Sequence, residues 1–232
     1  MLRLRVKAPF GAFRHFTAGS YRPTAPCITP SAAYGLLMNL AGIETRWDDG
    51  RSAMTLTRAG LPRVKMALGQ VACPEVHSIY QQLHNYPVGA SGKDRAGDCK
   101  GNKYNIQPVR REFLSGIDFL VCVRETGEVE QRIRSVLRGE PPEAGFRRYG
   151  LPFLRDNGFL IDTVVEERIP QTAAHWLTPA PGVVGSLPQA RMRLTVSINR
   201  TDMTQTRSNL FLLLQEPLLE PILQSWITVE AS

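Results

Sequence analysis

The chain has 232 residues, of which 43% are hydrophobic and 21% charged, a balance typical of globular proteins that excludes a disordered chain, a collagen-like repeat and a disulfide-dense mini-protein. It carries 28 Lys and Arg residues against 21 Asp and Glu, a net charge of +7. Most of these cations are Arg, whose planar guanidinium suits bidentate contacts with phosphates and base edges.

Several compartments are excluded by local patterns. The N-terminus alternates basic and apolar residues and so lacks the apolar run of a signal peptide. The longest apolar run, Leu210–Leu214, is far shorter than the ~20 residues that a membrane span needs. The cysteines form no Cys-x-x-Cys pair, which is typical of reduced thiols; they are Cys27, Cys73, Cys99 and Cys122. We therefore expect a soluble, cytoplasmic protein with no membrane partner.

The positive charge is concentrated at the start of the chain. The first 43 residues contain no acid and five basic residues, which are Arg3, Arg5, Lys7, Arg14 and Arg22. Apolar and basic residues alternate over residues 2–7, the period-two pattern of a strand. This pattern predicts a strand with one face in the core and one cationic face.

A helix is predicted from Thr29 to about Gly42. Thr29 supplies a hydroxyl cap, Pro30 suits the first helical position, and apolar residues recur at three- and four-residue spacing up to Ile43. An exposed helix start attracts anions, so a phosphate beside Thr29 and Ser31 is one interpretation. An ordinary capped helix is the other.

The next elements are a strand at 64–68, a strand at 117–123 and an amphipathic helix at 129–137. Between the two strands, residues 86–111 contain four glycines and six basic residues with no apolar periodicity. Loops of this length inside compact domains are usually functional or disordered. Glycines with cations and tyrosines suit an arm that binds a polyanion, and a solvated loop is the alternative. A P-loop is excluded because the glycine spacing is wrong and Asp94 stands where Ser or Thr is needed.

This order predicts a βαββαβ arrangement of ferredoxin-like or RNA-recognition-motif type, if a strand at 159–165 or near Arg147 closes the sheet. The second half is predicted to be β-rich. Its clearest strand is Arg191–Ile198, with Thr195 and Ser197 on the outward face. We expect an α+β protein with domain 1–145 and a smaller part 146–232.

The histidines and cysteines offer only weak sites. The residues Cys73, His77, His84 and Cys99 have spacings that match no common zinc module, so neither a metal nor another cofactor is predicted. General acid–base cleavage of RNA needs a base, a proton donor and a cation, which His84, Tyr86 and Lys103 offer. His84 is equally compatible with stacking on a base or capping a turn.

Four stretches carry a resemblance to the CRISPR-associated protein 5 family: KAPFGAFRHFTAGSYRPTAPCITPSAAYGLLMNLAGIE, QLHNYPV, GNKYNIQPVRREFLSGIDFLV and YGLPFLRDNGFLID. They follow the family's order over about two-thirds of the chain, and their sequences are closest to those of type I-B members. The resemblance implies an RNA-recognition-motif-like domain with an inserted β-hairpin thumb at about 83–111, followed by a β-rich part.

The resemblance also implies a function. Members of the family hold the 5′ handle of the CRISPR RNA in the Cascade complex, contact its large subunit and its backbone subunit, and act on target DNA through the complex. The type I-C members cleave precursor RNA themselves, but this chain lacks the N-terminal sequence typical of them, so we expect that it is not an enzyme. A metal-independent endoribonuclease that processes repeat RNA is the alternative.

The residues proposed to bind RNA come from the first strand, the helix start and the glycine-rich segment. They are Arg5, Lys7, Phe13, Arg14, Thr29, Ser31, Tyr34, His84, Tyr86, Lys93, Arg95, Lys100, Lys103, Tyr104, Arg110 and Arg111.

Overall fold

The computed structural model describes residues 1–14, 21–50, 55–84, 106–140, 150–154, 158–180 and 191–230. These residues form a mixed α+β fold with a mostly antiparallel sheet. The helices among them are α1 (Pro30–Leu40) and α2 (Gly127–Leu137). The strands are β1 (Leu2–Gly11), β2 (Tyr21–Arg22), β3 (Arg46–Trp47), β4 (Leu56–Thr57), β5 (Val64–Gln70), β6 (Glu75–His84), β7 (Ile106–Arg124), β8 (Thr163–Glu166), β9 (His175–Pro179), β10 (Met192–Ser197), β11 (Arg207–Leu213) and β12 (Ile227–Val229).

One large sheet runs in the order β10-β11-β9-β5-β7-β1-β8, and β2, β6 and β12 pair with its inner strands. Its pairs are antiparallel except for β2, which runs parallel to β7. Strands β3 and β4 form a separate small sheet. Strand β7 is the longest because its second half pairs with β1 and β5, whereas its first half pairs with β6.

The main hydrophobic core lies between the helices and one face of the sheet. Leu2, Leu4 and Val6 of β1 are fully buried there, as the period-two pattern predicts, because successive side chains of a strand point to opposite faces. They share this core with Leu37 of α1 and Ile133 of α2. Each such side chain stabilises the fold by roughly 1.5–3 kcal/mol relative to leaving it exposed.

Helix α1 begins and ends at the predicted residues. The Thr29 hydroxyl accepts a hydrogen bond from the Ala32 N–H at 3.3 Å, and Pro30 occupies the first turn, where no N–H partner is needed. Gly42 follows the last turn with φ of 68°, the left-handed conformation that glycine adopts without a steric penalty.

The other face of the sheet carries a second, smaller core. Trp176 and Ala174 of the C-terminal part pack there against Ala67 and Leu120. A Cβ atom at Gly69 would lie 2.8 Å from the Cβ of Ala174 and 3.0 Å from the Trp176 ring. Glycine at this position therefore lets the tryptophan rest directly on the sheet, and the C-terminal part closes this face.

Strand β10 differs from its prediction on one face. Leu194 is buried and Arg193 is exposed, as expected, but Thr195 and Ser197 are only 8% and 3% exposed. The solvent exposure predicted for these two residues is wrong, because Leu194, Thr195 and Val196 are all buried and both faces of the strand are therefore covered. Arg207 of the neighbouring strand donates a hydrogen bond to the Ser197 hydroxyl at 3.1 Å, so the small polar side chain is enclosed within the sheet.

The predicted boundary near residue 145 lies outside the described residues. Strands β8, β9 and β12, which follow it, pair with β1 and β5, which precede it. Within the described ranges, neither α-helix has the length and apolar content needed to cross a bilayer.

Candidate nucleic-acid interface

Arg3 on β1 is buried at 2% exposure, so the predicted cationic face of this strand is closed. Its guanidinium forms an ion pair with Glu167 at 3.0 Å and donates to the carbonyl oxygens of Thr172 and Leu219, both at 2.6 Å. Burial raises the pKa of Glu167, but hydrogen bonds from Thr172 and Arg3 outweigh it, so that this pKa lies below its ordinary value. The Trp176 ring lies 5.7 Å from the guanidinium carbon.

Arg5 and Lys7, the other cations of β1, face Asp118 on β7. Arg5 makes a bidentate pair with this carboxylate at 3.0 and 2.7 Å, and it also donates to the Thr172 hydroxyl at 3.0 Å. The hydrogen bonds to Asp118 raise the pKa of Arg5. The Lys7 ammonium lies 3.8 Å from Asp118 and is half exposed. The expected cationic face is therefore largely neutralised within the protein, and only Lys7 retains substantial exposure.

The helix start is also enclosed. Thr29 is 1% exposed, and its hydroxyl is used for capping and lies 3.2 Å from the Ser31 hydroxyl. Tyr34 is buried and donates its hydroxyl hydrogen to the Pro62 carbonyl at 2.9 Å. Burial raises the pKa of Tyr34 to about 12. The geometry at Thr29 and Tyr34 is that of an ordinary capped and packed helix.

Phe13 and Arg14 end the first segment of the described chain. Phe13 is one of the RNA-binding candidates, but it is 1% exposed within the main core, so its ring is not accessible to an RNA base. Arg14 is exposed and forms an isolated bridge with Thr24. Its side chain is accessible to a ligand.

An antiparallel hairpin formed by β6 and the first half of β7 carries the exposed Arg110 on one face and the half-buried Arg111 on the other. It pairs from Glu75 opposite Ser115 to His84 opposite Ile106, and so begins eight residues before the expected start at 83. Most described side chains of β6 are exposed, with Tyr80 at 67%. The hairpin therefore extends beyond the packed sheet.

One face of this hairpin carries Tyr80, Arg110 and Glu112 beside Tyr21 of β2. Arg110 is exposed, donates to the Ser78 hydroxyl at 3.3 Å and lies 5.9 Å from the Tyr21 ring centre. Tyr21 donates to the Glu112 carboxylate, and this hydrogen bond raises the pKa of Tyr21. The face thus presents an exposed guanidinium between two accessible phenol rings.

The opposite face carries a row of aromatic rings. His77 stacks on Phe113 with ring centres 5.3 Å apart and planes 26° apart, and Phe159 follows at 5.9 Å and 35°. Phe10 meets Phe113 edge-on at 5.6 Å. The Arg111 guanidinium lies 5.3 Å from the Phe159 ring centre. We call His77, Phe113, Phe159 and Phe10 the ring row.

The remaining candidates lie mainly outside the described residues. They are Tyr86, Lys93, Arg95, Lys100, Lys103 and Tyr104. His84 is the last residue of β6. Of the candidate residues in the glycine-rich segment, Arg110 and Arg111 have described side chains, and both lie on the hairpin.

The thiols and histidines of the described ranges do not assemble into a group of three or more metal-ligating side chains. Burial raises the pKa of both Cys27 and Cys122 to about 12, which keeps these thiols protonated.

Residues 1–142 match the model of a CRISPR-associated protein (Cas_Cas5) family. The chain belongs to this family. Its fold is similar to a chain of a solved "CRISPR RNA-guided surveillance complex", with a TM-score of 0.54 and 13% identity over 93% of this chain and 89% of that one. A structure described as "Crystal structure of Cas protein" has a TM-score of 0.45 and 14% identity, covering 94% of each chain. No curated protein matches the chain in sequence.

In this CRISPR-associated protein, sequence reasoning misses the ring row and Tyr21. The four rings come from β1, β6, β7 and a segment near residue 159, so no local pattern unites them. The available local signal is Phe113 directly after Arg110, Arg111 and Glu112 in a strand.

Proposed function

We propose that this protein is a non-catalytic RNA-binding subunit of a type I Cascade complex. It holds the 5′ handle of the CRISPR RNA, joins the large subunit to the backbone subunits, and meets target DNA through the complex. Membership of the CRISPR-associated family and the fold shared with a chain of a surveillance complex support this proposal. The type I-B assignment rests on the resemblance of the four sequence stretches. The identity of the neighbouring genes tests it.

The main support from the molecule itself is the open cationic hairpin. Arg110 is exposed there, and the adjoining residues 85–105 carry four Lys and Arg against two Asp in the sequence. Single-stranded RNA is bound by grooves and arms that pair cations with phosphates and aromatic rings with bases. The hairpin offers both kinds of group, so we assign it as the thumb that contacts the RNA.

The sheet order supports an RNA-recognition-motif-like assignment for the N-terminal part. Strands β8, β1, β7 and β5 lie side by side, with α1 between β1 and β5 in sequence and α2 between β7 and β8. In that arrangement the sheet face opposite the helices is the usual platform for RNA. Here Trp176 and Arg3 occupy that face, so we propose that RNA binds the hairpin instead.

Salt dependence tests the proposal directly. If the protein contacts about six phosphates of single-stranded handle RNA, a plot of log affinity against log salt concentration should have a slope of about −4. The slope is measured by titrating labelled handle RNA at several salt concentrations. A slope near zero would contradict electrostatic binding.

A cleavage assay tests the non-catalytic assignment. The purified chain is incubated with labelled repeat RNA in EDTA, and we expect the RNA to stay bound and intact. Site-specific cleavage that His84→Ala abolishes would establish the endoribonuclease alternative, because 2′-hydroxyl attack requires a positioned base.

A further inference from the structure

We infer that the ring row is a stacking platform for an unpaired RNA base, with His77 as its outer ring. This inference rests on the proposed RNA-binding function and adds to it a specific site on the side of the hairpin facing away from Tyr80. The rings involved are His77, Phe113, Phe159 and Phe10.

The rings of the row already pack against one another, and the row ends at an exposed ring. His77 stacks on Phe113 with a ring-centre spacing of 5.3 Å, and Phe159 follows at 5.9 Å with its plane tilted by 35°, both within the distances at which aromatic rings attract each other. The His77 side chain is 42% exposed, and Phe10 is 44% exposed. A base that stacks on His77 would therefore extend a series of rings that already exists.

The outer ring is held in place before any ligand arrives. The His77 Nε2 atom lies 2.7 Å from the Ser115 hydroxyl on the opposite strand, while its ring rests on Phe113. Two contacts from β7 thus restrict the orientation of this one side chain. Little conformational entropy is lost when a base stacks on a ring that is already fixed.

The charges around the row fit a nucleotide. Arg111 lies over the Phe159 ring at 5.3 Å, on the same face of the hairpin as the ring row, whereas Arg110 lies on the other face. Glu75 lies 3.7 Å from His77, which disfavours a phosphate at that end. A base on His77 with its phosphate towards Arg111 satisfies both conditions.

Replacing His77 separates stacking from its other roles. His77→Leu removes the ring and keeps an apolar side chain, whereas His77→Phe keeps a ring and removes both ring nitrogens. Binding is measured with a short single-stranded RNA that carries 2-aminopurine, whose fluorescence falls when it stacks. We expect His77→Leu to bind about tenfold more weakly with the fluorescence restored, and His77→Phe to behave like the unaltered chain.

Trp47→Leu is the matched control. Trp47 is also 44% exposed, and its strand β3 adjoins Glu44 and Arg58, which line a groove with Glu125 at the far end of β7. This variant should bind RNA normally. The salt slope should be the same for the unaltered chain and His77→Phe, because stacking involves no phosphate.

Three results would overturn the inference. Unchanged RNA binding and unchanged quenching in His77→Leu would remove the platform while leaving the RNA-binding function intact. Equal weakening in His77→Leu and His77→Phe would show that a ring nitrogen, not the ring face, makes the contact. Normal RNA binding combined with a loss of assembly with the backbone subunit would assign the row to a protein partner. Absence of RNA binding by the unaltered chain would instead contradict the proposed function.

Discussion

Two strands of this protein carry closely spaced cations, and their surroundings are opposite. On β1, Arg3 is buried against Glu167 and Arg5 is held by Asp118. On the hairpin part of β7, Arg110 is exposed and contacts only a serine hydroxyl and a tyrosine ring among the contacts described. The number of cations on a strand therefore does not show which of them are accessible, because carboxylates from the rest of the fold neutralise those on β1.

The largest expected effect is on the free energy of unfolding, when the buried Arg3 of β1 is replaced. Arg3→Met removes the buried guanidinium that pairs with Glu167 and donates to two carbonyl oxygens, and breaking a buried pair in this way costs about 3–5 kcal/mol. Urea unfolding measures the loss, with the exposed Arg193→Met as control. A loss below about 1 kcal/mol would mean that water replaces the missing donor.

A smaller loss is expected where the C-terminal part touches the sheet. Gly69→Ala places a methyl group 2.8 Å from the Ala174 Cβ, and overpacking of this kind costs about 1–3 kcal/mol. Gly35→Ala is the matched control, because nothing lies within 4 Å of a Cβ there and alanine favours the helix by about 0.5–1 kcal/mol. Opposite signs for the two substitutions would confirm close packing at Gly69, and equal signs would contradict it.

The role of the hairpin is tested by removing its two Arg charges. Arg110→Gln with Arg111→Gln should weaken RNA binding about tenfold and reduce the magnitude of the salt slope by about 1.4, since each phosphate contact contributes about 0.7. Stability should change by no more than about 0.5 kcal/mol. Arg63→Gln with Arg168→Gln removes the same charge from side chains 71% and 75% exposed elsewhere. Equal weakening by both pairs would mean that net charge, not the hairpin, governs binding.

The smallest expected effect is on the free energy of unfolding at acid pH. Because the pKa of folded Glu167 lies below its ordinary value of 4.5, its ion pair contributes stability above that value and loses it as the pH falls through the folded pKa. We expect the free energy of unfolding to fall below about pH 4.5 and the fall to be shallower in Glu167→Gln. Parallel acid curves for the two proteins would show that Glu167 does not contribute. RNA binding by the hairpin should not follow this titration.

The comparison also shows what sequence can and cannot reveal. Alternation in β1 predicts which residues face the helices, and Thr29 with Gly42 predicts both ends of α1, because these signals are local. The burial of Arg3 is not predictable locally, since its ion-pair partner lies 164 residues away.

Strand β6 is an element that its local sequence pattern does not predict. Its two faces mix polar and apolar residues, with His77 and Ile79 on one face and Val76 and Tyr80 on the other. Most described side chains of β6 are exposed on both faces of the strand, so the period-two pattern that reveals other strands is missing. The Arg-rich surface is predictable from composition, but the rings beside it are assembled only by the fold.

The ion pair between Arg3 and Glu167 has a consequence for the order in which the fold can close. The partners of Arg3 at Glu167, Thr172 and Leu219 lie 164, 169 and 216 residues further along the chain. Because chains emerge N-terminal first, all three bonds of this guanidinium can form only after residue 219 has been made.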